Sequence, residues 1–208
     1  SRDLLARLTA AELSDAAFPF STSQEIDVAG EVLRATRITY VGELGWELYV
    51  PWADAAAVHE ALFTAGADLG VVPAGYSTIE ALRLEKGYRA FGRELTPELG
   101  PIEAGLGFVC DRRPGADFLG RSAVEAVRAA GPRRRVVSFT CGEPTAYLWG
   151  GELVLREGEP VGQVTSAAHG EAVGAPVGLA LVGDRSGVTT ADWVRTGTWQ
   201  VDLAGVRL

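Results

Sequence analysis

Apolar and polar positions change period several times along the chain, and each change marks an element. Residues 23 to 28 (SQEIDV) and 31 to 36 (EVLRAT) alternate about every second position around Ala29-Gly30, which predicts an antiparallel strand pair with a tight turn. A second alternating pair, 38 to 41 and 46 to 50, flanks Gly42-Glu43-Leu44-Gly45 and predicts a second hairpin. The period then becomes helical over 52 to 65, with Asp54 at the positive end and Gly66 as the stop. Another helix is predicted to start at Ser77-Thr78-Ile79-Glu80, the spacing of a capping box, and to break at Gly87. Leu4, Leu5 and Leu8 predict a short helix over 4 to 10, followed by a turn over 9 to 14, and 119 to 130 reads as one more helix. From about Pro132 short strands dominate: 136 to 140, a hairpin of 153 to 155 with 161 to 165, 177 to 182, and a pair near Gly197 and Ala204-Gly205. The predicted class is α+β: an antiparallel sheet with packed helices over 1 to 112, then a small β-barrel over 113 to 208.

Composition narrows the function classes. With 208 residues, 47% apolar and 22% charged, the chain is long and apolar enough to fold around a core. Its net charge of −8 argues against a nucleic-acid partner, because neutralising phosphates takes clustered cations. The one basic run, Arg133-Arg134-Arg135, reads as a solvated strand end. No apolar run is long enough for a membrane helix, so neither nucleic acid nor membrane is expected as a partner. Two cysteines, Cys110 and Cys141, without a CxxC spacing, read as free thiols in a reducing cytoplasm. Two histidines leave too little material for a metal cluster, and none is expected. A chain that has no methionine and opens at Ser1 on an amphipathic segment is expected to be part of a longer polypeptide.

Two stretches carry candidate chemistry. If Val41 pairs with Trp46 across the turn, Tyr40 faces Glu47, and these share one face with Ile38 and Tyr49. Val41, Trp46, Thr39, Leu48 and Val50 then form the core face. An acid bracketed by aromatic rings suits a small-molecule pocket, and equally a solvated sheet face. In the second stretch, 80 to 95, Glu80 and Arg83 lie three apart on a helix. They make either a surface ion pair, worth a few tenths of a kcal/mol, or, with Arg89 and Arg93, a set of forks for a ligand carboxylate.

Several long motifs carry a family resemblance. RITYVGELGWELYVP, LRLEKGYRAFGREL, GPIEAGLGFVCD and FLGRSA resemble the folate-binding domain of glycine-cleavage T-protein, the aminomethyltransferase. LWGGELVLREGEPVGQVTSAAHG and VGLALV resemble the form fused to the flavin half of dimethylglycine and sarcosine dehydrogenases. The resemblance runs in order over nearly the whole chain. It implies a tetrahydrofolate-binding module followed by a C-terminal barrel, with Tyr40 and Glu47 at the folate pterin and Arg83, or next Arg89, at the folate glutamate tail. It also implies a parent enzyme in which a flavin half oxidises an N-methylated glycine and the folate half captures the carbon. FAD and the flavin domain of the same polypeptide would then lie outside this chain, where no GxGxxG follows a strand. The family's catalytic aspartate finds no match here, so no catalytic residue is expected in this chain and the chain alone is expected to be inactive. His169 stands where relatives have tyrosine and is assigned no chemistry. The alternatives are a stand-alone glycine-cleavage aminomethyltransferase and a T-protein-like module without one-carbon chemistry.

Overall fold

The first two strands form as their alternation predicts. In a computed structural model describing residues 1–208, β1 (Ser23–Val28) and β2 (Glu31–Thr36) pair antiparallel from Ser23↔Thr36 to Val28↔Glu31. Their turn needs two left-handed residues, and Ala29 (φ 58°) and Gly30 (φ 91°) supply them. The Asp27 carboxylate accepts the Gly30 N–H at 3.0 Å. Ile26, Val28, Leu33 and Ala35 point inward from the two strands.

The second hairpin differs from expectation. β3 (Glu47–Tyr49) pairs with β2, not with 38 to 41, in the register Thr36↔Glu47, Ala35↔Leu48 and Arg34↔Tyr49. Residues 37 to 46 therefore form the loop between two strands. The chain leaves the sheet at Arg37, whose buried guanidinium donates to the Phe18 carbonyl and to Asp15 Oδ1, both at 2.6 Å. That side chain also lies over the Trp46 ring, 5.7 Å from its centroid. Anchoring Arg37 inward turns the backbone away from β2, so the apolar residues that follow have no ladder to extend. The Val41 amide is satisfied by Thr39 Oγ1 at 3.1 Å, and Gly42 takes a positive φ of 75°.

Two helices complete the first compact unit, Ser1–Ile79. Helix α1 (Arg2–Leu5) is shorter than predicted, and α2 (Ala55–Ala65) ends at Gly66, whose amide closes on the Leu62 carbonyl at 3.0 Å. Leu5, Leu13, Phe18 and Val58 join the inward strand residues in one core, with Trp46, Leu48 and Val50 packed against it. The expected core face of 46 to 50 is therefore present, although its strand partner is not the expected one.

Helix α3 (Tyr76–Glu85) leads in sequence into the second unit, Glu80–Leu208. The expected capping box is not the start signal. Ser77 lies inside the helix, and the Gly75 carbonyl accepts the Thr78 and Ile79 amides at 3.1 and 3.2 Å. Glu80 turns its carboxylate to arginine instead.

The second unit holds β4 (Arg135–Thr140), β5 (Leu153–Arg156), β6 (Glu159–Gly170), β7 (Ala175–Val182), β8 (Trp199–Leu203) and β9 (Val206–Arg207). They form an antiparallel sheet in the order β4-β7-β6-β5-β8-β9. Strand β6 is longer than predicted: it continues through Thr165-Ser166-Ala167-Ala168-His169-Gly170, with a register shift between Val164 and Ser166. Across that bulge Val164 pairs with Ala180 and Ser166 with Leu179, adjacent residues of β7, so these two buried side chains face opposite sides of the sheet, where strict alternation would put them on the same side. Val154, Val164, Ala180, Val182 and Val201 share one core, while Leu84, Val136, Val177 and Leu179 form another. Helix α4 (Arg121–Ala130) falls where predicted, and α5 (Ala191–Arg195), capped by Thr190 Oγ1 on the Trp193 amide, adds a helix the pattern did not announce. The class is α+β, as expected.

Candidate functional site

In the first unit, Glu47 opens β3 on its exposed face. Its sheet neighbour is Thr36, not Tyr40, so the juxtaposition expected from a Val41–Trp46 pairing does not arise from strand register. What does hold Glu47 is Tyr49, two residues on and on the same face: its hydroxyl donates to Glu47 Oε2 at 2.8 Å. The carboxylate raises the phenol's pKa above its ordinary value, chiefly through that hydrogen bond. Tyr49 is 55% exposed, so the pair borders solvent. Tyr40 sits in the loop of 37 to 46 with 38% of its surface accessible, enough to offer a ring face.

The loop carrying Tyr40 is tied down at its base. Asp15 accepts from Arg37 at 2.6 Å and from Arg2 at 2.5 Å, and those two partners, Arg37 first, lower its carboxyl pKa. Glu43 is an exposed acid at the tip of the same loop.

The second unit treats the expected tail-binding arginines differently. Arg83 has no accessible surface. Its Nε and Nη2 donate to Glu80 Oε2 at 3.2 and 2.7 Å, Nη1 donates to the Tyr88 carbonyl at 2.9 Å and to Glu94 Oε2 at 3.2 Å, and Nη2 also donates to Ser166 Oγ at 2.9 Å. A guanidinium has five N–H groups, and these contacts use them all. Every donor of Arg83, the first choice for the folate tail, is thus taken up by protein acceptors in this structure.

Glu94 answers it from the other side and is also fully buried. Its Oε1 accepts from Thr165 Oγ1 at 2.6 Å and Ser166 Oγ at 2.5 Å, and its Oε2 also accepts the Ala90 amide at 2.8 Å. The network clamps the end of α3 and the segment 88 to 95 onto the bulge of β6. A buried charge pair is tolerable only when every lone pair and proton is met, and here they are. Glu94, Thr165 and Ser166 were missed in the sequence. Nothing in their local spacing announces a contact across 72 residues.

Arg89 is half-buried, and its Nε donates to the Ala104 carbonyl at 2.8 Å. Burial lowers its pKa, with the charge of Glu94 opposing that shift. A desolvated cation of this kind is stabilised by an approaching anion. Arg93 reaches Glu80 at 3.4 Å from a largely exposed position. His169 is exposed near the end of β6, opposite Pro176.

Comparison with known proteins gives this geometry its context. A family model described as the GCVT N-terminal domain matches residues 1–113, and the glycine cleavage T-protein C-terminal barrel domain matches residues 134–208. The chain belongs to the glycine cleavage T-protein family. Within the family it is 42% identical over 207 residues to sarcosine dehydrogenase, mitochondrial, of Homo sapiens, covering 99% of this chain and 22% of that protein. It is 35% identical over 182 residues to dimethylglycine dehydrogenase, mitochondrial, of Rattus norvegicus, covering 88% of this chain and 21% of the relative. The crystal structure of glycine cleavage system aminomethyltransferase T from Bartonella henselae superposes with a TM-score of 0.81 at 27% identity, covering 98% of this chain and 53% of that one. The chain thus spans about a fifth of the length of the dehydrogenases it matches.

Proposed function

We propose that this chain is the folate-binding part of a flavin-dependent dehydrogenase of N-methylated glycines, sarcosine or dimethylglycine. Residues 1–112 are read as the folate-binding module and 113–208 as the C-terminal barrel domain. The observation that carries the reading is Glu47: an exposed carboxylate, oriented by Tyr49, in a chain of which 99% aligns with sarcosine dehydrogenase.

The residues of the first unit suit a reduced pterin. Glu47 offers acceptors to the ring's N–H donors, and the accessible ring of Tyr40 offers a surface for it to pack on. In the second unit Arg89, which the resemblance names next after Arg83 for a folate carboxylate, is half-buried with its Nε on the Ala104 carbonyl, and a partly desolvated guanidinium gains from an anionic partner. Tetrahydrofolate, when bound, supplies the nitrogens that take up the one-carbon unit as 5,10-methylenetetrahydrofolate. The contribution of this chain is to bind, to orient and to keep water from the transfer. Oxidation of the amine, and FAD with it, is assigned to the flavin domain of the same polypeptide. No helix here is long and apolar enough to cross a membrane. The two unpaired thiols suit the reducing cytoplasm assigned to the chain, while the dehydrogenase relatives are named as mitochondrial proteins.

The structural likeness to an aminomethyltransferase favours a second reading, a stand-alone member of the glycine cleavage system. The products separate the two. In the full-length protein turning over sarcosine or dimethylglycine with tetrahydrofolate present, Glu47→Ala is expected to shift the one-carbon product from methylenetetrahydrofolate toward free formaldehyde. Amine oxidation should stay near the parent rate. Absence of any amine oxidation in the full-length parent would contradict the dehydrogenase reading, and an unchanged product ratio in the variant would contradict the pterin site.

A further inference from the structure

The geometry points to Tyr49 as a positioning residue that sets the Glu47 carboxylate for its ligand, a role that rests on the pterin site proposed above. The exposed face of the first sheet carries two rows of polar side chains. Strand register aligns Ser23, Thr36 and Glu47 in one row, and Glu25, Arg34 and Tyr49 in the next. Each of the other members has a partner on this face. Ser23 and Thr36 share a hydrogen bond of 3.0 Å, and Arg34 donates to Glu25 at 3.0 Å and to Ser23 at 3.4 Å. The one cation on the face is thereby directed toward β1, away from Glu47. The partner Glu47 meets here is the Tyr49 hydroxyl, at 2.8 Å on Oε2.

This arrangement matters because a glutamate at the head of an exposed strand has several rotamers to choose from. A neutral phenol bonded to Oε2 selects one orientation without cancelling the negative charge, as Arg34 in that place would. It leaves the Oε1 lone pairs, and one on Oε2, as acceptors for a ligand's donor edge. Fixing the rotamer before binding removes an ordering cost that the complex otherwise carries. Tyr49 therefore acts through Glu47 and not on the reacting atoms.

Calorimetric titration of tetrahydrofolate into the full-length protein tests this role in a four-way comparison of the parent, Tyr49→Phe, Glu47→Ala and the double variant. Tyr49→Phe keeps the ring and removes only the hydroxyl, and is expected to weaken binding roughly threefold to tenfold, the equivalent of one lost orienting contact. In the Glu47→Ala background the same change is expected to do nothing, and its unfolding midpoint should match the parent's. Unchanged affinity in Tyr49→Phe overturns the role. So does an equal loss with and without Glu47, which would mean that the hydroxyl touches the ligand itself, or a loss that comes with a lowered unfolding midpoint. Glu47→Ala without effect removes the pterin site altogether, an outcome distinct from a failure of Tyr49 alone.

Discussion

Glu47 and Glu94 are the same residue with opposite surroundings. Glu94 has no accessible surface, and both its oxygens are consumed by Arg83, Ala90, Thr165 and Ser166. Glu47 stands on an exposed sheet face with one neutral partner, Tyr49, on one oxygen. A carboxylate whose acceptors are all spent inside the protein holds a fold together. One with acceptors left, fixed by a neighbour that keeps its charge intact, is available for recognition. The distinction divides the arginines too: Arg83 has spent every N–H, while Arg34 forms an ordinary pair in water with Glu25.

The largest effect that follows is on stability. Arg83→Ala strands the buried Glu94 carboxylate together with the Ser166 hydroxyl, and is expected to cost about 3–5 kcal/mol, read as a fall in the denaturant midpoint. A loss under about 1 kcal/mol would erase the contrast between the two glutamates, since solvent would have to reach the site freely. At the other end of the scale, Arg34→Ala removes the exposed pair with Glu25, whose side chains are 53% and 67% accessible. Its expected cost is a few tenths of a kcal/mol, roughly 0.2–0.5, and a larger fall would show that the exposed face is more tightly coupled than its contacts indicate.

How much of this was legible in the sequence differs between the two regions. The strand pair β1–β2 was readable because its alternation, its turn residues and its core residues all agree. The position of Glu47 on a polar face with Tyr49 followed from the period of two alone. The partner of that strand did not, because the diversion at Arg37 depends on Asp15 and the Phe18 carbonyl, some twenty residues earlier, which no local pattern reports. The enclosure of Arg83 was hidden for a related reason. In sequence this arginine lies three residues from Glu80 and looks like half of a surface pair, and only the bulge of β6, which turns Ser166 toward it, shows that it is enclosed. The family motifs named the family correctly, while the contacts their charged residues make needed the three-dimensional structure.

The central claim is that Glu47, and not another acid of its loop, reads the ligand. Glu43, four positions earlier and also exposed, supplies the comparison. The most direct measurement is the affinity of the full-length protein for tetrahydrofolate, by calorimetry, in Glu47→Ala and Glu43→Ala. The predicted result is a loss of about 1.5–3 kcal/mol for Glu47→Ala, or one to two decades in Kd, with Glu43→Ala within twofold of the parent. Equal affinities for Glu47→Ala and parent, or a greater loss in Glu43→Ala, would contradict the account.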